Sequence, residues 1–288
     1  MSTIKIIDSA GKEELFSAHK LERSLKRAGA SNLVARQIAQ KIENQIKDGV
    51  TTSEIFKIAR QELSKEQPQA AVKFNLKLAM RNLGPDGFSF EKYVKQLFVN
   101  YGFSVKTNQY ISGRCVAYET DIVAEDEDTV YFGECKYHNQ AGIRVDLTVC
   151  MKIFAAAMDV CENYFKDQIK IGKKIIPIVI TNAKFTTQAI KYSECQGIKL
   201  LGWNYPKNNG LEKMIEVKKL YPITILPSFK SYAKEAFGEA GMILAKDLLE
   251  IKDIENFSKK IGLPVSKITI LIKEAEMLSN SSAIVKSF

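Results

Sequence analysis

At 288 residues, with 45% hydrophobic and 26% charged content, the chain is long enough for one large or two to three modest globular domains. No apolar run approaches the roughly 18–20 residues that span a bilayer, and the N-terminus lacks the charged-then-apolar build of a signal peptide. Five cysteines without a CxxC pair, and two histidines, argue against a disulfide framework, a zinc knot or histidine-based catalysis, so a reducing cytoplasm is the expected setting. The net charge of +9 is carried entirely by residues 1–230, while residues 231–288 are balanced. Such an excess suits a polyanionic partner such as DNA, and equally a merely basic soluble protein.

In chain order, a short apolar alternation at Ile4–Ile7 and a turn at Asp8-Ser9-Ala10-Gly11 precede four helical patterns, Ala18–Ala28, Asn32–Lys47, Thr52–Lys65 and Gln69–Leu83. In the second, Leu33, Ile38, Ile42 and Ile46 recur at the spacing of one buried face. Thr52-Ser53-Glu54 supplies N-cap residue types ahead of the stripe Ile55, Ile58 and Leu63. Gly84-Pro85-Asp86-Gly87 is the strongest break and marks a domain boundary.

Beyond it the pattern predicts a helix Phe88–Tyr101, strands Phe103–Tyr110, Cys115–Ala124 and Thr129–Tyr137, and a helix Val145–Tyr164. A strand Ile175–Thr181, a helix Thr186–Gln196 and a strand Ile198–Trp203 follow. A meander that turns into alternating helices and strands indicates a mixed α/β sheet. Glu125-Asp126-Glu127-Asp128 reads as a solvated hairpin tip, and from about Ser231 the pattern is helical again. The expected domains are 1–84, 85–228 and 229–288.

The chemistry concentrates on Asp121 and on Glu134-Cys135-Lys136. Residues i and i+2 of a strand share a face, so Glu134 and Lys136 project together while Cys135 points away as a small buried apolar residue. Twelve residues separate Asp121 from Glu134, enough to finish one strand, turn and begin the next. A carboxylate at a buried-sheet position is costly without a partner, and a hard divalent cation is a natural one. Glu91, in the first turn of the preceding helix, reaches toward the same place. The plainer alternative is a same-face salt bridge between Glu134 and Lys136, with Glu91 only favouring its helix N-terminus. His138, just after the strand, reads as structural.

Phe90-Glu91, Tyr118-Glu119-Thr120-Asp121 and Gly133-Glu134-Cys135-Lys136-Tyr137-His138-Asn139 closely resemble the PD-(D/E)XK nuclease superfamily in its Mrr-like restriction endonuclease branch. Thr181–Thr186 and Gly197–Trp203 look like that branch's later strand and helix, so the likeness spans roughly residues 85–225. The motif's leading proline is replaced by Thr120. The resemblance implies an α/β, restriction-endonuclease-like mixed sheet and a metal-dependent DNA endonuclease acting in defence or repair. Asp121 and Glu134 would bind Mg²⁺ or Mn²⁺, Lys136 would orient the attacking water, and Glu91 would match the acidic residue of the first helix. The absence of Cys/His clusters speaks against zinc.

At the N-terminus, Lys20 and Ser24 lie four apart on one helix face and both could meet a phosphate, although no Walker-type loop is present. Gly11-Lys12, Phe16, Lys20-Leu21, Ser24-Leu25, Arg27-Ala28-Gly29 and the Thr51–Ile55 helix start resemble the ATP-cone, a mainly helical regulatory domain that binds adenine nucleotides. The resemblance implies ATP or dATP as a regulatory ligand near Lys5, Lys12, Phe16, Lys20, Ser24 and Lys73. The basic pair that usually precedes the glycine is replaced by Ile7-Asp8-Ser9-Ala10.

The C-terminal pattern Asp253–Leu278, two helices around Ile261-Gly262-Leu263-Pro264, has the shape of a helix-hairpin-helix, but its neutral charge favours a packing or self-association role. The competing readings are a nucleotide-sensing DNA-binding regulator with an inactive nuclease-like core, and a structure-specific junction or flap nuclease. A homo-oligomer and no membrane association are expected.

Overall fold

A computed structural model describes residues 4–84 and 88–280, so Pro85-Asp86-Gly87 of the expected boundary lies outside the described residues. Strands β1 (Lys5–Ile7) and β2 (Glu13–Leu15) form an antiparallel hairpin. Asp8 shapes its turn: the carboxylate accepts N–H bonds from Ala10 and Lys12 at 2.8 and 2.9 Å, and Gly11 takes φ +79°. Helices α1 (Ala18–Arg27), α2 (Asn32–Gln45) and α3 (Thr52–Glu66) start at Ser17, Ser31 and Thr51, each accepting an N–H from its helix's first turn. Thr51 and Glu54 complete a capping box.

The expected helix Gln69–Leu83 is instead two, α4 (Pro68–Phe74) and α5 (Leu76–Arg81). Asn75 ends the first by donating its N–H to Val72 O at 3.0 Å, a tightened last turn. Ile6, Phe16, Leu25, Ile38, Ile42, Ile55, Leu63 and Phe74 fill the core of this region.

The middle of the chain contains α6 (Phe88–Asn100), β3 (Ser104–Ser112), β4 (Ala117–Glu125), β5 (Thr129–Lys136), β6 (Arg144–Val145), α7 (Leu147–Cys161) and α8 (Lys166–Lys170). It continues with β7 (Lys174–Thr181), β8 (Lys184–Phe185), α9 (Thr187–Gln196), β9 (Lys199–Leu201) and α10 (Leu211–Lys218). The five-stranded sheet has the order β3-β4-β5-β7-β9, antiparallel through β5 and parallel beyond it. The acidic stretch is a hairpin tip, where the Asp126 carboxylate accepts N–H bonds from Asp128 and Thr129 at 3.0 and 2.8 Å. On one face, Val123, Val130, Phe132 and Val179 meet Cys150, Ile153, Ala156 and Val160 of α7. On the other, Tyr131 meets Phe98 of α6 edge-on.

The final part has two 3-10 turns (Ile223–Ile225 and Ser231–Ala233), α11 (Lys234–Glu239), a third 3-10 turn (Ala245–Glu250), α12 (Ile254–Ile261) and α13 (Val265–Asn280). Gly262, with φ +67°, closes α12 by donating its N–H to Ser258 O.

Packing divides the chain into two compact units, 81–220 and a second made of 1–80 together with 221–288. Sequence reading expected 229–288 to stand alone. Instead Ile223 donates its N–H to Ile243 O at 2.8 Å, and Thr224 Oγ1 donates to Ala79 O at 2.7 Å, so the chain after Tyr221 packs on α5. No helix among the described residues is long and apolar enough to cross a membrane.

Candidate functional site

The β4–β5 ladder runs from Glu125↔Val130 to Ile122↔Gly133 and then stops. Side chains take over where the backbones separate. Asp121 Oδ2 accepts the Cys135 N–H at 2.7 Å, and Thr120 Oγ1 donates to Gly133 O at 2.7 Å. Thr120, where the resembling motif has proline, is therefore a fully buried strut between the two strands.

On β5 the alternation works as the sequence implies. Gly133 shares a face with Ile122 and Ile178, since a Cβ there would meet both side chains. Glu134 faces the other way, toward α7. Its carboxylate is 7% exposed as a residue and receives Lys136 Nζ at 2.6 Å and Lys152 Nζ, from α7, at 3.5 Å. The same-face salt bridge is thus present, and it extends to a second lysine that sequence reading did not find. No local motif announces Lys152, because only the packing of α7 on the sheet carries it there.

Charges at this end of the sheet are strongly coupled. Burial pushes the Asp121 carboxyl above its ordinary value; the Cys135 N–H pulls it back and the Glu134 charge raises it further. Glu91, in the first turn of α6, is raised by burial and by the charge of Asp121, against a hydrogen bond from the Asn108 side chain. For Lys136, burial works to lower the pKa, but the hydrogen bond and charge of Glu134 outweigh it and the ammonium is held. Burial keeps the Cys135 thiol neutral and, with the Lys136 charge, lowers the pKa of His138. The His138 backbone is clamped by Asn182, which accepts its N–H at 2.9 Å and donates to its carbonyl at 2.8 Å.

The structure places Asp121 within electrostatic reach of Glu91, Glu134 and Lys136, and Glu91 within reach of Glu134. No three His, Cys, Asp or Glu side chains among the described residues converge as a ready-made metal-ligand group. The donor set still suits a hard cation. Asp121 and Glu134 offer only oxygen, and burial, the main cause of the raised Asp121 and Glu91 carboxyls, makes their ionised forms costly without a positive partner.

In the N-terminal region the six expected nucleotide residues fall in different settings. Lys5 on β1 and Lys12 in the hairpin turn are exposed, with Lys5 Nζ 3.6 Å from Glu13. Lys20 on α1 lies 3.5 Å from Glu14. Ser24, one turn along, donates its hydroxyl to the Lys20 carbonyl at 3.0 Å. Glu13 and Glu14 are consecutive on β2 and so point to opposite faces, which separates the two lysines they hold. Phe16 is 5% exposed and belongs to the core, and Lys73 is half-buried on α4. The exposed ion pairs are weak and displaceable by a phosphate.

Comparison with known proteins adds to this geometry. Residues 4–81 match the ATP cone domain, and residues 221–279 match the domain described as AF1548-like, C-terminal. An uncharacterized protein of Archaeoglobus fulgidus is 37% identical over 181 residues, covering 63% of this chain and 97% of that protein. A solved structure, the crystal structure of a protein of unknown function named AF1548, is similar with a TM-score of 0.55 at 35% identity, over 67% of this chain and 98% of that one. With its relative matched nearly end to end, the chain belongs to the AF1548-like family and carries an ATP cone domain at its N-terminus.

Proposed function

We propose that this chain is a metal-dependent DNA endonuclease of the PD-(D/E)XK type whose activity responds to adenine nucleotide at the cone. The observation that carries the reading is the junction at which β4 and β5 part: Asp121, Glu134 and Lys136 meet there, with Glu91 coupled to them. Asp121 and Glu134 would hold Mg²⁺ or Mn²⁺, which when bound polarises a phosphate oxygen and acidifies a water. Asp121 is oriented for this by the Cys135 N–H, and Thr120 fixes the gap between the strands. Lys136, kept as an ammonium, aligns the attacking water against the phosphorus and balances charge gained by the phosphate. Lys152, mostly exposed on α7, supplies a second positive charge on the same side of Glu134 and can meet the DNA backbone. In the cone, exposed Lys12 and Lys20 would receive ATP or dATP phosphates, with Lys73 as a further contact and Lys5, held on the other face of β2, more remote.

A second reading is favoured by one observation. The buried Glu134 carboxylate already has two ammonium partners, so the core could be held together without a cation and serve as a nucleotide-sensing DNA-binding module. Nicking of supercoiled plasmid with Mg²⁺ or Mn²⁺ separates the two. Cleavage by the wild type, lost in Glu134→Ala and Lys136→Ala with the fold and DNA affinity retained, is the expected result. DNA binding without cleavage under either metal leaves the second reading. Including branched substrates, each with and without ATP, tests the junction or flap specificity and the direction of regulation.

A further inference from the structure

Asn108 has a left-handed backbone, φ +53°, in the middle of the nine-residue strand β3. The other non-glycine residues with positive φ among the described residues, Asn208 and Lys219, lie in a loop and at a helix end. A left-handed residue inside a strand is strained, and asparagine is among the few types that tolerate it.

The consequence is local and falls on one partner. Thr107 pairs with Ile122 and Gln109 with Thr120, while the intervening Asn108 and Asp121 drop out of the ladder without any change of register. Both strands change phase at this point. Ser104 and Lys106 before Asn108 line the same cavity as Gln109 and Ile111 after it, which plain alternation forbids. Across the pair, Tyr118 and Val123, five residues apart, pack against one core. Asp121 is thereby released from the β3–β4 ladder at the level where β4 also leaves β5. The Asn108 amide meanwhile acts on the Glu91 carboxyl at the start of α6, drawing its pKa down against burial.

We propose that Asn108 is a positioning residue for the cation site, its backbone freeing Asp121 from the sheet and its amide acting on Glu91. This rests on the metal-dependent reading given above. Nothing in the sequence motif points to Asn108, and its role arises only where β3, β4 and α6 meet.

The test is Mn²⁺ titration of the full-length protein by calorimetry without DNA, followed by the Mg²⁺ dependence of plasmid nicking. Asn108→Gly keeps the left-handed backbone and removes the amide. It is expected to bind Mn²⁺ about 10–100-fold more weakly, with nicking at saturating Mg²⁺ within about threefold of wild type. Asn108→Ala, titrated below its own melting temperature, should show at least the same loss and serves if the glycine variant misfolds. Wild-type Mn²⁺ affinity in both variants overturns the role of Asn108 while leaving the cation site intact. Absence of Mn²⁺ binding by the wild type at millimolar metal overturns the cation reading and this proposal with it.

Discussion

At the scale of single residues, the ionised forms of Asp121 and Glu91 work against the fold. Burial raises both carboxyls, so the folded chain binds their protons more tightly than the unfolded chain does. Stability therefore falls as pH rises from the ordinary carboxylate range through the raised values, and the penalty is complete above them. Asp121→Asn keeps an oxygen that can accept the Cys135 N–H and removes the charge. It should melt higher than wild type at pH 7, with the difference closing below about pH 4, and it should not cleave DNA. Thermal melts across that range are the measurement, and a lower melting temperature at pH 7 would contradict the account. The trade of stability for a charged cluster is typical of sites that bind or react.

Among the elements, β5 is where local sequence and tertiary structure agree best. Its two-residue period separates Glu134 and Lys136 from Gly133 and Cys135 with no help from context. Gly133 nevertheless has a requirement that the sequence does not announce. A Cβ there would lie 2.6 Å from Ile178 Cγ2 and 2.7 Å from Ile122 Cγ2, so the strand lies flat between two isoleucines. Gly133→Ala should cost about 1–3 kcal/mol by overpacking, read as a lower urea midpoint with an unchanged slope. An alanine variant as stable as wild type would show that β5 has room to shift. The break between α4 and α5 lay beyond sequence reading for a different reason: the apolar spacing continues across Asn75, and only the hydrogen bond to Val72 records the stop. Lys152 and Asn108 escaped because each acts on a residue far away in sequence.

For the molecule as a whole, the grouping of residues 1–80 with 221–288 links the ATP cone to the family's C-terminal domain in one compact unit. Nucleotide bound at the cone should therefore stabilise both segments. At 100 times its dissociation constant a ligand contributes about 2.7 kcal/mol. Hydrogen exchange with saturating ATP is expected to slow across 4–81 and 221–279 together. Protection confined to 4–81 would mean that the C-terminal domain does not share in binding, and no protection anywhere would remove nucleotide as a ligand.

The sequence by itself determined what depends on near neighbours along the chain: the first three helices of the cone, the alternation of β5, the hairpin after Glu125 and the shared face of Glu134 and Lys136. Period, cap and turn chemistry are local, and local rules can be read from one strand of text. Tertiary structure alone decided that β4 leaves β5 at Asp121, that Asn108 and Lys152 reach the site, and that the chain's two ends pack together. Each of these is a pairing between distant segments, set by which buried surfaces and which charges satisfy one another in space, and such pairings leave no periodic trace in a single sequence.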